Sequence, residues 1–142
     1  MTSGDVEFLS PDRARYLVEI AERARVELGR WAGQSVDYDA TGLQLLDEWI
    51  ERAVRSTPNP PPSMQVLWIA FLGEVFRRRY QGEWVIRQDD GQSLGVLCPM
   101  EAGGLHFVEV AQQVRRRVRD GFAESLALFY VREGALLRGQ ID

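Results

Sequence analysis

Cys98 and His106 are the only thiol and the only imidazole in this 142-residue chain, and as residue types they could make a nucleophile and its base. Such a nucleophile works as a thiolate, usually held there by a histidine or a helix N-terminus. Cys98, however, closes the apolar run Leu94-Gly95-Val96-Leu97 and stands directly before Pro99. No local signature of a cysteine enzyme surrounds it, and free cysteine is among the most buried residue types. It reads as a packing thiol, and His106 as a sheet-edge or surface residue. Glu74 and Glu83 could serve as paired carboxylates only if one were desolvated enough to separate their pKa values. Arg77 and Arg78 follow Glu74 by three and four positions, where helical salt-bridging is the simpler expectation.

The remaining chemical patterns are weaker. Zinc requires Cys, His or carboxylate ligands at short paired spacings, and the sequence supplies none. Asp89-Asp90-Gly91 lacks the alternating oxygens and distal glutamate of a calcium loop and reads as a hairpin turn. Gly103-Gly104 has neither the spacing nor the lysine of a phosphate loop. No catalytic constellation, metal or cofactor is expected.

Arginine carries the best binding signal. All 17 basic residues are arginine, a uniformity that points to coding bias more than to 17 separate demands for guanidinium geometry. Arg77, Arg78 and Arg79 crowd one predicted helix, and Arg115, Arg116, Arg117 and Arg119 another. Consecutive residues fan out by about 100° around a helix, so the simplest reading is a solvated face. A sharper one is a surface for an anionic partner, an acidic protein or a phosphorylated ligand. The candidate binding residues are Arg77, Arg78, Arg115, Arg116 and Arg119, with Glu74 and Trp84. Net charge of −4 argues against nucleic acid, whose affinity rests on phosphate neutralisation and falls steeply with salt.

These side chains need a scaffold, and the length suits one domain with its own core. No apolar run approaches the roughly 20 residues of a membrane span. The first residues lack a signal peptide's basic and apolar regions, and a lone cysteine forms no internal disulfide, so the expected compartment is cytoplasmic. Residues 1–9 are expected as a flexible segment. Ser10-Pro11-Asp12 then opens a helix along Leu17, Ile20, Ala21, Ala24, Leu28 and Trp31, with Gly33 as its stop. Thr41 and Gln44 have capping-box spacing for a second helix burying Leu43, Leu46, Ile50 and Ala53. The proline-rich stretch from Thr57 to Pro62 makes a stiff connector. Ser63 is the expected cap of a third helix to about Tyr80, apolar throughout from Val66 to Leu72 and therefore central, with Gly82 after it. Strands over Glu83–Arg87, Ser93–Cys98 and, briefly, Leu105–Phe107 form a small antiparallel meander of two or three strands. Two further helices follow, through Val110, Ala111, Val114 and Val118, then Phe122, Leu126, Phe129 and Tyr130, the last closed by Gly134. Helices grouped around an antiparallel sheet make an α+β domain.

The pair Leu72-Gly73-Glu74 and Gly82-Glu83-Trp84, at that separation, resembles the helix–Gly–Glu–Trp–strand unit of an uncharacterised bacterial family, domain of unknown function 3806. The resemblance runs from about Leu67 to Tyr130, less than half the chain. It implies a matching α+β arrangement and carries no activity, cofactor or catalytic residue.

With no reactive cluster, and with four Trp, six Phe and four Tyr, the expected function is a non-enzymatic protein-interaction module, an accessory or immunity-type protein of a bacterial system. Aromatics and arginine are what protein interfaces favour, although core packing will claim most of the aromatics. The alternative is a small-ligand binder or unrecognised enzyme, with Glu74, Glu83, Arg87 and His106 converging on a pocket between hairpin and helices. A flat exposed aromatic patch favours the first reading.

Overall fold

The computed structural model describes residues 5–89 and 91–141. Its elements, in order, are β1 (Asp5–Phe8), α1 (Pro11–Ala32), α2 (Ala40–Ser56), α3 (Pro62–Tyr80), β2 (Glu83–Asp89), β3 (Gly91–Pro99), β4 (Leu105–Val108), α4 (Val110–Asp120), a 3-10 turn (Gly121–Glu124) and α5 (Leu126–Leu137). The α+β class and the helix–strand–helix order follow the sequence reading, with four strands in place of two or three.

The extra strand corrects the expectation for residues 1–9. Asp5–Phe8 pairs antiparallel with β2, Val6 opposite Arg87 and Phe8 opposite Val85, and Met1 to Gly4 lie outside the described residues. Alternation of acidic and apolar residues in Asp5-Val6-Glu7-Phe8 is the period-2 signal of a strand, too short to stand out against its polar surroundings. The turn expected at Asp89-Asp90-Gly91 falls partly on Asp90, outside the described residues, between the cross-strand partners Asp89 and Gly91.

Helix ends follow local chemistry. The Ser10 side chain accepts from the Arg13 amide, and Gly33 closes α1 at φ 71. At α2 the cap is Asp39, accepting from the Gly42 amide, rather than Thr41. Its carboxylate takes the Gly42 amide, two residues before the one Thr41 would cap, so the capping box does not form. Pro61 precedes α3 with no side-chain cap, which displaces Ser63 from that role, because Pro62 at N1 already lacks an amide to satisfy. Gln81, at φ 57, takes the left-handed cap expected of Gly82. Gly134 does not end the last helix. It lies inside α5, where a Cβ would meet Arg138 Nη1 at 2.9 Å and crowd the Tyr80 hydroxyl.

The sheet runs β1-β2-β3-β4, antiparallel throughout. One face of it packs on the helices. Trp84, Val96, Cys98 and Val108 from that face join Leu28, Leu43, Ile50, Trp68, Phe71, Phe76, Val114, Leu126 and Leu137 in one apolar cluster. α3 lies at its centre, buried from Leu67 through Phe76, as its unbroken apolar run requires. Phe76 meets Phe129 and Tyr130 edge-on at centroid distances of 5.7 and 5.3 Å, the arrangement that ring quadrupoles favour.

Candidate interaction surface

The unbroken burial of α3 carries Glu74 inside with it, and a buried carboxylate without donors costs several kcal/mol. Four hydrogen bonds meet it: Arg77 Nε at 2.6 Å and Nη2 at 2.8 Å, Arg78 Nε at 3.0 Å and Trp84 Nε1 at 2.9 Å. Burial alone would push this carboxyl up, but the bonds from Arg77, Trp84 and Arg78 outweigh it and hold the pKa below the usual value. Gly73 supplies the space, since a Cβ there would fall inside the Trp84 indole. Gly82 does the same beneath β3, where a Cβ would lie 2.6 Å from Val96 and 2.8 Å from the Cys98 sulfur. The two glycines, Glu74 and Trp84 therefore form a joint that fixes the end of α3 to β2. Their spacing in sequence reflects packing.

From this joint Arg78 stacks over Tyr38, 4.2 Å from the ring centroid. The Tyr38 hydroxyl donates to Glu22 at 3.0 Å, and Arg25 bonds the same carboxylate and the Val36 carbonyl. The Arg25 hydrogen bond brings Glu22 down to about 2, while burial and the bond to Glu22 push the Tyr38 phenol up. Arg77 and Arg78 are thus occupied with internal carboxylates and rings.

The second arginine series divides. Arg117, 1% exposed, donates from Nε to Asp47 Oδ1 at 2.9 Å and from Nη2 to the Asp47 carbonyl at 2.9 Å and Glu51 at 3.1 Å. Phe122 covers it, 4.3 Å from centroid to guanidinium. Asp47 also accepts from the amides of Leu126 and Ala127 and the hydroxyl of Ser125 at 2.9–3.0 Å. It caps the N-terminus of α5 from another helix, where a carboxylate suits the dipole. Neither Asp47 nor Arg117 was expected as a site residue. Both interrupt an apolar stripe, Asp47 between Leu43 and Ile50 and Arg117 after Val110 and Val114, and that interruption is the sequence signal of a buried pair. Arg119 pairs with Asp120 at the surface. Arg115 is exposed and Arg116 half-buried, and neither makes a hydrogen bond or ion pair among the described residues. The expected site residues therefore separate: Glu74, Arg77, Arg78 and Trp84 meet inside, and Arg115 and Arg116 stay apart from them on α4.

Cys98 and His106 are cross-strand partners in β3 and β4. His106 Nε2 lies 2.8 Å from Glu133 Oε1 of α5, so a thiol, an imidazole and a carboxylate do come into one neighbourhood. Their electrostatics oppose nucleophilic chemistry. Cys98 is fully buried, and that burial, with the Glu133 charge behind it, pushes the thiol up to about 12. A thiolate is the form this place disfavours most. Nor do Glu74, Glu83, Arg87 and His106 converge. Glu74 is sealed under Trp84, and register puts Arg87 and His106 on opposite faces of the sheet. Among the described residues no group of three His, Cys, Asp or Glu could hold a metal ion, and no helix is long and apolar enough to cross a membrane.

The other face of the sheet has a different composition. Cross-strand register places Val6, Phe8, Val85, Arg87, Gly95, Leu97, Leu105 and Phe107 there together, opposite the side that joins the core. Phe8 is 56% and Leu105 62% exposed. Val85 is fully buried yet outside the core cluster, with Phe8 and Gly95 as its cross-strand partners. Gly95 lets the Phe107 ring approach the strand closely, since a Cβ would come within 2.7 Å of it. Arg87 stacks on that ring at 4.5 Å and pairs with Glu109 at 3.0 Å.

Beside this face, along the outer edge of β4, lies a cleft of about 260 Å³ lined by His106, Gln113, Arg116, Phe129, Arg132 and Glu133, among others. Glu133 is engaged by His106 and Glu109 by Arg87, whereas Arg116 and Arg132 have no hydrogen bond or ion pair among the described residues. The cleft therefore holds two guanidiniums without a hydrogen-bonded carboxylate beside two carboxylates that already have a partner.

Comparison with protein-family models, with curated proteins and with solved structures finds no match for this chain, so the functional reading rests on its own geometry.

Proposed function

We propose that this chain is a non-catalytic protein-interaction module, an accessory or immunity-type protein of a bacterial system, working in the cytoplasm. One observation carries the reading: an apolar, aromatic-bearing sheet face, with Val6, Phe8, Leu97, Leu105 and Phe107, that lies opposite the core side and leaves Phe8 and Leu105 exposed. Contiguous apolar surface of this kind marks contact sites, and rigid aromatics at its centre act as anchors. The engaged guanidiniums of Arg77, Arg78 and Arg117 serve the fold, which leaves Arg115 and Arg116 to meet an acidic partner at the margin.

Affinity capture from native bacterial lysate tests the reading, comparing the wild-type chain with a Phe8→Ser/Leu105→Glu double variant. Both positions are exposed, so thermal stability should hold to within about 1 kcal/mol. The expected result is a companion enriched by the wild type and lost with the variant. A wild-type chain that enriches nothing, or a companion retained undiminished by the variant, overturns it.

A further inference from the structure

We propose that the free edge of β4 accepts a partner's extended segment as a fifth strand, and that this segment alternates apolar and acidic residues. The inference rests on the protein-binding reading and specifies its ligand. β4 is the last strand of the sheet, so its outward amides and carbonyls have no strand to pair with among the described residues. An unpaired edge is a template for strand addition.

The side chains around that edge set the ligand's pattern. Successive residues of an added strand point to opposite faces. Those sharing a face with Leu105 and Phe107 would lie on the open apolar side, next to a 62% exposed leucine. Those sharing a face with His106 would enter the cleft, where the guanidiniums of Arg116 from α4 and Arg132 from α5 make no hydrogen bond or ion pair among the described residues, while Glu109 and Glu133 beside them are already bonded to Arg87 and His106. Guanidinium pairs carboxylate in charge-assisted, often bidentate bonds, so the inward positions call for Asp or Glu.

The opposite edge is unsuited to the same ligand. β1 directs Asp5 and Glu7 to the corresponding side, and these would repel an acidic strand. β1 itself has the alternation that β4 calls for, which raises a second copy of this chain as an occupant. Pairing β1 of one copy with β4 of the next is a head-to-tail contact that generates open filaments or rings, so a separate partner segment is the occupant assigned.

The test uses a capped peptide of alternating Val and Glu about eight residues long, an ordinary strand length, titrated into the isotope-labelled full chain and followed by amide chemical shifts. Shifts are expected at residues 105–108, with hydrogen-exchange protection appearing there. Affinity should fall about tenfold or more, equivalent to about 1.4 kcal/mol, with each of three changes: Arg116→Glu/Arg132→Glu, Lys for Glu in the peptide, and N-methylation of its alternate amides. Circular dichroism and thermal unfolding of the double variant establish that it is folded. Val–Lys and Val–Glu peptides binding alike, or no response at residues 105–108 up to millimolar peptide, overturns the proposal. Shifts confined to Phe8, Leu97 and Leu105 and indifferent to N-methylation overturn strand addition while leaving the protein-binding reading in place. Protection at 105–108 that rises with protein concentration and without peptide overturns it in favour of a second copy.

Discussion

Two buried carboxylates organise this molecule, and they differ in how far each reaches along the chain. Glu74 is met by donors within ten residues, Arg77, Arg78 and Trp84. Asp47 is met by donors 70 to 80 residues away, Arg117, Ser125, Leu126 and Ala127. The first fixes a helix to the strand that follows it. The second ties α2 to the end of α4 and the start of α5, where it adds to the local Ser125 cap by accepting the Leu126 and Ala127 amides. The same physical demand, that no charge be buried unpaired, is met in one place by local sequence and in the other by topology.

The largest effect expected is at the distant node. Asp47→Ala leaves the buried Arg117 with Glu51 as its one remaining carboxylate and removes the acceptor of the Leu126 and Ala127 amides, and the loss in urea unfolding should be about 3–5 kcal/mol. Arg117→Met should cost less, because Asp47 keeps the Ser125, Leu126 and Ala127 donors. A loss under about 1 kcal/mol for Asp47→Ala would break the comparison. At the local node Trp84→Phe keeps the ring in its seat over Gly73 and removes one hydrogen bond to a charged group. About 1.5–3 kcal/mol should be lost, read from the same unfolding curves.

A pH series sharpens the contrast further. The folded pKa of Glu74 lies below its ordinary value of 4.5. Its ionised form therefore contributes stability that is fully present above that value and is lost as pH falls through the folded one. Glu74→Gln should flatten this acid limb, and chemical unfolding between neutral pH and the acid range would measure it. An unchanged acid limb would mean that other carboxylates govern acid unfolding. The smallest effect belongs to Tyr38→Phe, which removes a hydrogen bond to the exposed Glu22 and should cost no more than about 1 kcal/mol by thermal unfolding.

This contrast of range also decides what could be read in advance. The stripe from Leu17 to Leu28, the central run of α3 and the pairing of Glu74 with Arg77 and Arg78 depend on neighbours in sequence, and they were legible. The Asp39 and Asp47 caps were not. Thr41 offered an equally good local pattern, and Asp47 finds its donors only once α4 and α5 are placed. β1 was missed for a related reason: four residues become a strand only because β2 offers an edge to pair with. The candidate surface was half visible. Arg115 and Arg116 were named, but Phe8, Leu105 and Phe107 share a face only through cross-strand register, and Arg132 joins Arg116 only through the way α5 packs.

The reach of Asp47 also has a consequence during synthesis. Its carboxylate leaves the ribosome well before residues 117–127 exist, so for most of translation it must stay hydrated and α2 cannot seat its buried face permanently. Chains terminated ahead of α5 would keep Arg117 but lack the Leu126 and Ala127 amides, and would display an unsealed α2. Such fragments are ready substrates for chaperones and proteases, and completion of the last helix is what withdraws the chain from them.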